Sequence, residues 1–244
     1  MARVADSNHE EKMRLFHPDG PTLWELARQA LSSVEEGYDL LAPRFDHTPF
    51  RTPDSIITAT LDIVEPLRDL RALDLCTGTG AAARALAVRG ARVGGVDASA
   101  GMLRVAQERS PNIDWHKVDA LRLPADWEAS FELVTSFGAF GHFERSDIRR
   151  LLREARRVLV DGGRFVFVTS SPPPRLSLSH ALAAAFDGAM RVRNALWKPP
   201  FVMYYLQFFV DEARRELEAS GFTVRTIALN ELHPRLFAVV ATAC

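Results

Sequence analysis

The stretch Leu73-Asp74-Leu75-Cys76-Thr77-Gly78-Thr79-Gly80 decides the fold of this chain. It is a mostly apolar strand that runs directly into a glycine-rich turn, and the Ala-rich segment 81–89 that follows has a helical pattern. Glycines in such a turn allow the backbone to approach a ligand closely, and the next helix offers free N–H groups at the same place. The stretch predicts a strand, turn and helix with a ligand site at the turn; a tight turn without a ligand is the plainer alternative.

Short β-rich runs alternate with helical patterns after this turn, which indicates βαβ units and a parallel sheet. The expected strands of this part are 71–76, 91–96, 113–118, 131–136 and 164–169. A helix is expected over 146–159, with Ser146 as its N-cap and Gly162-Gly163 as its end. Two further strands, 222–228 and 236–242, have a connection so short that they must be antiparallel neighbours. We therefore predict an α/β fold: a Rossmann-like three-layer sandwich whose seven-stranded, mostly parallel sheet has an antiparallel last strand.

Two segments lie outside this alternation. Residues 1–70 contain two expected helices, the first with a capping box of Thr22 and Glu25 and the second starting near Pro53 with Thr52 as its cap. Residues 171–200 are an insertion that is bracketed by prolines and has a helical interior.

Composition and charge exclude several protein classes. The chain has 244 residues, of which 47% are hydrophobic and 25% charged, as in an ordinary soluble globular protein. A net charge of -1 gives no strong overall field that would attract nucleic acid or an anionic membrane. The two cysteines lie far apart, so neither a disulfide framework nor a metal site is expected. No apolar run is long enough for a membrane span, and Met1–Arg14 lacks the apolar segment of a signal peptide. We expect a cytoplasmic protein.

Three carboxylates follow three successive expected strands. Asp74 lies near the end of the first, Asp97 ends the second and Asp119 follows the third. An acid after the second strand can accept hydrogen bonds from ribose hydroxyls. An acid after the third can accept from an adenine amino group, and Asp74 suits a ligand with an amino group and a positive charge. Each acid alone is equally well explained as a solvated or capping carboxylate, but three in succession favour a nucleotide-like ligand.

The motifs along the chain resemble those of the class I S-adenosylmethionine-dependent methyltransferases that act on small molecules. They are ALDLCTGTG (72–80), GVDASAGML (95–103), VDALRLP (118–124), FELVTSFGAFGHF (131–143) and LLREARRVLVDGGRFVFV (151–168). The resemblance implies S-adenosylmethionine as the cofactor and methyl transfer as the activity. One departure is Cys76, which stands where the family often has glycine.

The resemblance also implies roles for matching residues. The glycine turn would face the methionine part of the cofactor, with Asp74 at its amino group, Asp97 at the ribose and Asp119 at the adenine. The stretch 38–46 resembles one that covers the cofactor in many members, which makes Tyr38 and Arg51 candidates for the methionine carboxylate; for Arg51, packing alone is as well supported. The expected cofactor-binding residues are Tyr38, Arg51, Asp74, Cys76, Thr77, Gly78, Gly80, Asp97, Ala98, Met102, Asp119, Ala120, Ser136 and Phe137.

His142 is the leading candidate for a catalytic base, because it follows the fourth strand near the expected methyl group and imidazole suits base chemistry near neutral pH. A loop histidine that only shapes the substrate site is the alternative. Weaker candidates are Asp46, His47, Tyr204 and Tyr205. The acceptor pocket is expected among the aromatic and apolar residues of the insertion and the segment after it, which are Trp197, Phe201, Met203, Tyr204, Tyr205, Phe208 and Phe209. The same residues equally suit a cap on the core or the seam of a homodimer.

We expect a single domain. Its parts are an N-terminal helical cap (1–70), a cofactor-binding core (71–170), an insertion or lid (171–200) and a C-terminal completion of the sheet (201–244). The expected partner is a small-molecule acceptor with an O-, N- or C-nucleophile, and no nucleic acid. An NAD(P)-dependent oxidoreductase would explain Gly78, Gly80 and Asp97 but not Asp74 or Asp119, and the chain has no Tyr-x-x-x-Lys pair. A non-catalytic protein that keeps the cofactor fold is the second alternative.

Overall fold

A computed structural model describes residue 14 and residues 16–244. Within them lies a seven-stranded sheet with the strand order β3-β2-β1-β4-β5-β7-β6. The strands are β1 Arg71–Leu75, β2 Arg92–Asp97, β3 Asp114–Lys117, β4 Phe131–Ser136, β5 Leu159–Ser170, β6 Phe222–Ala228 and β7 Leu236–Ala243. Strands β1 to β5 pair in parallel, whereas β7 is antiparallel to both β5 and β6. The predicted α/β, Rossmann-like fold with an antiparallel last strand is confirmed.

Helices cover both faces of the sheet. They are α1 Leu23–Leu31, α2 Val34–Leu41, α3 Asp54–Asp62, α4 Ala81–Val88, α5 Ala100–Arg109, α6 Arg145–Val158, α7 Leu178–Leu196 and α8 Val210–Glu218. Side chains along a strand point alternately to opposite faces. Phe165 and Phe167 of β5 accordingly pack with α6 and α8, and Val166 between them packs with α3 and α4.

Some predicted ends of helices and strands differ from the structure. The Thr22 and Glu25 capping box of α1 is present, but α3 begins after Pro53 and Thr52 does not cap it. Helix α6 begins after Glu144, so Ser146 is not its N-cap. It ends because the buried Leu159 is already extended and pairs with Phe131 of β4; the Gly162-Gly163 pair therefore lies inside β5.

The N-terminal part contains one helix more than predicted. Helix α2 starts with a second capping box, formed by Ser33 and Glu36, which is the sequence signal that identifies it. A short 3-10 helix, Ala42–His47, follows directly. Residues 1–13 and 15 lie outside the described residues. The expectation that Met1–Arg14 is not a signal peptide concerns this part of the chain. Among the described helices, none combines the length and the apolar character needed to cross a bilayer.

Candidate functional site

A cavity of about 1060 Å³, partly open to solvent, lies at the carboxyl ends of the parallel strands. The turn after β1, the ends of β2 and β3 and the segment after β4 form its floor, and residues 34–52, which we call the N-terminal cover, lie opposite. The cavity brings together most of the predicted site residues: Tyr38, Arg51, Asp74, Cys76, Thr77, Gly78, Asp97, Ala98, Met102, Asp119, Ala120, Phe137 and His142.

Gly80 and Ser136 were expected at the cofactor and lie outside the cavity wall. Gly80 has a φ of 83° and precedes α4; a Cβ atom on it would lie 2.5 Å from Cη2 of Trp115. Glycine is therefore required there for the packing of the turn on β3. Ser136 is buried at the end of β4, and its hydroxyl has no hydrogen-bond partner. A direct contact of either residue with a cofactor remains a prediction.

Asp74 places a carboxylate beneath the glycine turn. Its side chain is buried and accepts hydrogen bonds from the Thr77 hydroxyl at 2.5 Å and the Thr135 hydroxyl at 2.7 Å. Burial raises the pKa of Asp74 to about 6, while the two hydroxyl donors act in the opposite direction. An ammonium or sulfonium group in the cavity would favour the ionised form, so the site suits a cationic ligand.

Asp97 ends β2 and organises the turn from the other side. Its carboxylate accepts the Gly78 amide at 2.8 Å and the Ser99 amide at 2.9 Å, and burial raises its pKa. Each carboxylate oxygen can accept a second hydrogen bond. Asp97 can therefore receive two ligand hydroxyls without losing its hold on the turn. Asp119 is exposed and accepts the amide of Leu121 at 2.9 Å.

Asp39 positions the N-terminal cover and was missed by the sequence analysis. It accepts hydrogen bonds from the Ser99 hydroxyl at 2.6 Å and from the Gly101 amide at 2.7 Å, both at the start of α5. A carboxylate at a helix N-terminus is electrostatically favourable. The contact fixes α2 so that Tyr38, the preceding residue, enters the cavity. Asp39 lies in the stretch 38–46, but its partners are 60 and 62 positions away in the sequence, so no local pattern indicates the contact.

Tyr38 and His142 form a hydrogen-bonded pair. The Tyr38 hydroxyl lies 2.7 Å from Nε2 of His142, and Nδ1 of the same ring lies 3.0 Å from the Val202 carbonyl oxygen. Because a carbonyl only accepts, Nδ1 carries the proton, Nε2 is the free base, and the Tyr38 hydroxyl donates to it. Burial lowers the pKa of His142, so the ring is neutral, and raises the pKa of Tyr38. His142 is thus poised as a base, but its lone pair reaches the cavity through Tyr38.

The weaker base candidates have other partners and do not line the cavity. Asp46 accepts a hydrogen bond from the Thr79 hydroxyl at 2.6 Å, which ties the 3-10 helix to the glycine turn. Its carboxylate also pairs with Arg109 of α5. Tyr204 is buried, and its hydroxyl donates to Glu144 at 3.0 Å. His47 stacks on the ring of His17, and Tyr205 is exposed. Arg51 does line the cavity, and its guanidinium pairs with Asp54.

The aromatic residues expected to form the acceptor pocket lie elsewhere. Phe208 packs in the main core against Phe140 and Phe167, because the chain after residue 206 turns into α8. Phe201 and Tyr204 form a small core with Met190 of α7. None of the seven lines the cavity; Phe201 reaches it only indirectly, stacked at 6.4 Å on the ring of Tyr38. The apolar wall is built from residues that were not expected there: Val34, Phe45, Phe50, Ile57, Ala139 and Phe143.

Comparison with known proteins agrees with this geometry. A family model described as "Methyltransferase domain" matches residues 72–163. A 2-phytyl-1,4-naphtoquinone methyltransferase from Thermosynechococcus vestitus is 38% identical over 185 residues, which are 72% of this chain and 77% of that protein. The chain belongs to the class I S-adenosylmethionine-dependent methyltransferases. A demethylmenaquinone methyltransferase from Clavibacter sepedonicus is 40% identical over 119 residues, 48% of this methyltransferase and 47% of that protein, so the match spans about half of the relative's length.

A solved structure supports the fold of this methyltransferase independently. A putative O-methyltransferase from Nostoc punctiforme superposes with a TM-score of 0.65 at 21% identity, covering 87% of this chain and 62% of that one. The family uses S-adenosylmethionine, and the donor set along the cavity fits this cofactor. The buried carboxylate of Asp74 suits its positive charge, and Asp97 suits its ribose. Ala98 and Met102 offer apolar surface on which its adenine ring can pack.

Proposed function

We propose that this chain transfers the methyl group of S-adenosylmethionine to an apolar, ring-containing small molecule with an acidic hydroxyl. The observation that carries the proposal is that one cavity combines two chemically different sets of side chains. Buried carboxylates and the glycine turn line it together with aromatic side chains and the hydrogen-bonded Tyr38 and His142 pair.

The apolar wall favours the acceptor class. Phe45, Phe50 and Phe143 line it, and Tyr38 lines the same cavity with its ring 5.9 Å from that of Phe45. Such a wall suits a flat, apolar ring with few polar substituents. The relatives named above act on naphthoquinone-type molecules, which have this character. A reduced naphthoquinone, which carries ring hydroxyls, is therefore the acceptor that we propose to test first.

The side chains of the site contribute alignment, exclusion of water and proton transfer. Bound S-adenosylmethionine supplies an electrophilic methyl group on a positively charged sulfur. Asp74 and Asp97 would hold this cofactor; the acceptor oxygen would take its methyl group, and the electron pair of the broken carbon–sulfur bond would remain on sulfur. Tyr38 takes the acceptor's hydroxyl proton while it gives its own to Nε2 of His142, so the phenol is unchanged and the imidazole becomes charged. The site therefore holds one positive charge before and after the transfer, which limits the cost of charging a buried ring.

The domain organisation and the location of the protein belong to the same proposal. The strands from Arg71 to Ala243 form one sheet, which supports a single domain with the parts 1–70, 71–170, 171–200 and 201–244. We propose that it acts in the cytoplasm on a small molecule and not on nucleic acid.

The test is a transfer assay with isotope-labelled S-adenosylmethionine and a panel of reduced naphthoquinones, catechols, simple amines and amino acids. We expect labelled product with the reduced naphthoquinones and none with the polar amines. Label that appears only in the polar amines, or in none of the acceptors while the cofactor still binds, would contradict the proposal; the second result would favour a non-catalytic protein that keeps the cofactor fold.

A further inference from the structure

Helix α7 has its polar side toward the protein and its apolar side toward solvent. The inward positions are occupied by His180, Asp187, Arg193 and Asn194, together with Ala183 and Met190. The outward positions include Leu178, Leu182 and Leu196, which are 75%, 62% and 80% exposed, and Leu176 just before the helix is fully exposed. An ordinary surface helix has the opposite arrangement. A contiguous apolar patch of this kind marks a surface that another body covers.

Most of the inward polar atoms have partners within the chain; the exceptions are Nδ1 of His180 and Nε of Arg193, which are buried without a hydrogen-bond partner. Asp187 accepts the amides of Tyr205 at 2.8 Å and Leu206 at 3.0 Å, and Arg193 donates to the Ser32 carbonyl at 3.0 Å. Asn194 exchanges two hydrogen bonds with the backbone of Phe201. These contacts fix which side of α7 faces outward, so the exposed apolar side is not a consequence of a loosely placed helix.

The charges of this surface have one sign. Residues 171–200 contain Arg175, Arg191, Arg193 and Lys198, and their one acidic residue is Asp187, which is 7% exposed. The whole chain is nearly neutral, so the positive charge is local to the insertion. Arg175 and Lys198 flank the helix at its two ends, and Trp197, which is exposed, lies beside Lys198. Exposed leucines between cations, with tryptophan at one end, are typical of a helix that lies in the interface of an anionic bilayer.

We propose that α7 docks this chain on an anionic lipid bilayer, with Leu178, Leu182 and Leu196 among the acyl chains and Arg175 and Lys198 at the headgroups. A second copy of the chain fits this surface less well. In a contact between two identical helix faces the cationic ends meet cations, and no exposed acid of the segment neutralises them. A bilayer with anionic headgroups neutralises all of them.

Docking would bring the bilayer close to the cavity. The loop that follows α7 carries Val202, whose carbonyl holds His142 at 3.0 Å, and Phe201, whose ring stacks on Tyr38. Only the loop that carries Phe201 and Val202 would then connect the docked helix to the Tyr38 and His142 pair, so an apolar acceptor dissolved in the bilayer would have a short path to the site. The docking itself requires no methyl transfer and can be measured without an acceptor.

The experiment is sedimentation of the full chain with vesicles of phosphatidylcholine alone or of equal parts phosphatidylcholine and phosphatidylglycerol. We expect binding to the mixed vesicles. A triple variant, Leu178→Gln, Leu182→Gln and Leu196→Gln, keeps residues compatible with a helix and should weaken binding about tenfold or more. An Arg175→Gln, Lys198→Gln variant should weaken binding to the mixed vesicles by about fivefold for each cation. The matched control is Val88→Gln, since Val88 is 87% exposed on α4 and should leave binding unchanged.

Circular dichroism and cofactor binding confirm that each variant is folded. Absence of vesicle binding by the wild-type chain, or equal binding by the wild type and the triple variant, would overturn the proposal. Light scattering that shows a dimer which the triple variant separates, without vesicle binding, would instead assign the surface to a second copy. Loss of methyl transfer to every acceptor with vesicle binding intact would contradict the proposed function and leave the docking standing.

Discussion

The glycine turn is held by acidic residues of the neighbouring strands and helix α7 by a buried acidic residue of its own, but the two regions differ in what lies around them. At the turn, Asp74 is held by the hydroxyls of Thr77 and Thr135, and Asp97 by the amides of Gly78 and Ser99; the space beyond them is a cavity inside the protein. On α7, Asp187 is held by a distant loop, and the opposite side of the helix is an apolar surface exposed to solvent.

The two regions therefore depend on different partners. The carboxylates of Asp74 and Asp97 at the turn are hydrogen-bonded within the protein and line a cavity, so a small cationic ligand is the partner that we expect there. Helix α7 is held by hydrogen bonds of Asp187, Arg193 and Asn194 and leaves apolar area exposed, so we infer that a body outside the chain covers it. His142 connects the two regions, since Tyr38 holds its Nε2 from the N-terminal cover and Val202 holds its Nδ1 from the loop after α7.

Removal of His142 should have the largest effect. We expect His142→Ala to lower kcat by about 100-fold to 1000-fold, because general-base catalysis contributes on this scale, and to leave the affinity for S-adenosylmethionine nearly unchanged. Steady-state kinetics and calorimetry measure the two quantities. Since burial lowers the pKa of His142, the base stays neutral below the ordinary histidine range, and wild-type kcat/KM should fall only at a pH below that range. Unchanged turnover in the variant would remove His142 from the mechanism.

Gly80 tests whether the turn depends on close packing. Gly80→Ala should destabilise the fold by about 3 kcal/mol, because the residue has a left-handed φ and the new methyl group would overlap Trp115. Gly162→Ala is the matched control: its φ is 76° but nothing lies within 4 Å, so only the backbone term of about 1 kcal/mol remains. Urea unfolding compares the two, and equal losses would show that the contact with Trp115 is unimportant.

Asp74→Asn should stabilise the fold and weaken the site. The folded-state pKa of Asp74 is raised from 3.8 to about 6, so between these values the folded chain binds more protons than the unfolded chain, and the stability from this group falls as pH rises. Above pH 7 the variant should be about 2 kcal/mol more stable than the wild type, and the difference should shrink toward pH 4. Its affinity for S-adenosylmethionine should fall about tenfold with the lost charge.

The control for this substitution is Asp119→Asn, because Asp119 is exposed and should leave stability unchanged. Thermal unfolding from pH 4 to pH 8 follows both variants. A less stable Asp74→Asn protein at pH 8 would mean that the two threonine hydroxyls outweigh the cost of burying the charge.

Asp187 gives the smallest expected effect and tests the α7 side of the comparison. Asp187→Ala removes the acceptor for the amides of Tyr205 and Leu206, so the loop that carries Val202 loosens and His142 loses its fixed orientation. We expect a fall in kcat of about tenfold with cofactor affinity unchanged. Asp187→Asn keeps one acceptor oxygen and should restore most of the activity. An equal loss in both variants, or a loss of cofactor affinity, would contradict this positioning role.

The sequence predicts one region far better than the other, for a physical reason. Asp97 and Gly78 are 19 positions apart, with only α4 and β2 between them, so the local pattern of turn, helix and strand predicts their contact. The Tyr38 and His142 contact joins residues that are 104 positions apart, and no local pattern encodes the pairing. The aromatic residues after the insertion could not be assigned either, because composition does not distinguish a cavity wall from a core, and Phe208 is core.

Calorimetric titration of S-adenosylhomocysteine and of NAD into the wild-type chain and an Asp97→Ala variant tests the central claim most directly. We expect S-adenosylhomocysteine to bind the wild type, Asp97→Ala to weaken this binding about 30-fold or more, and NAD not to bind. Binding of NAD in preference to S-adenosylhomocysteine, or equal affinity of both chains for S-adenosylhomocysteine, would contradict the assignment of the cavity to a methyl donor held by Asp97.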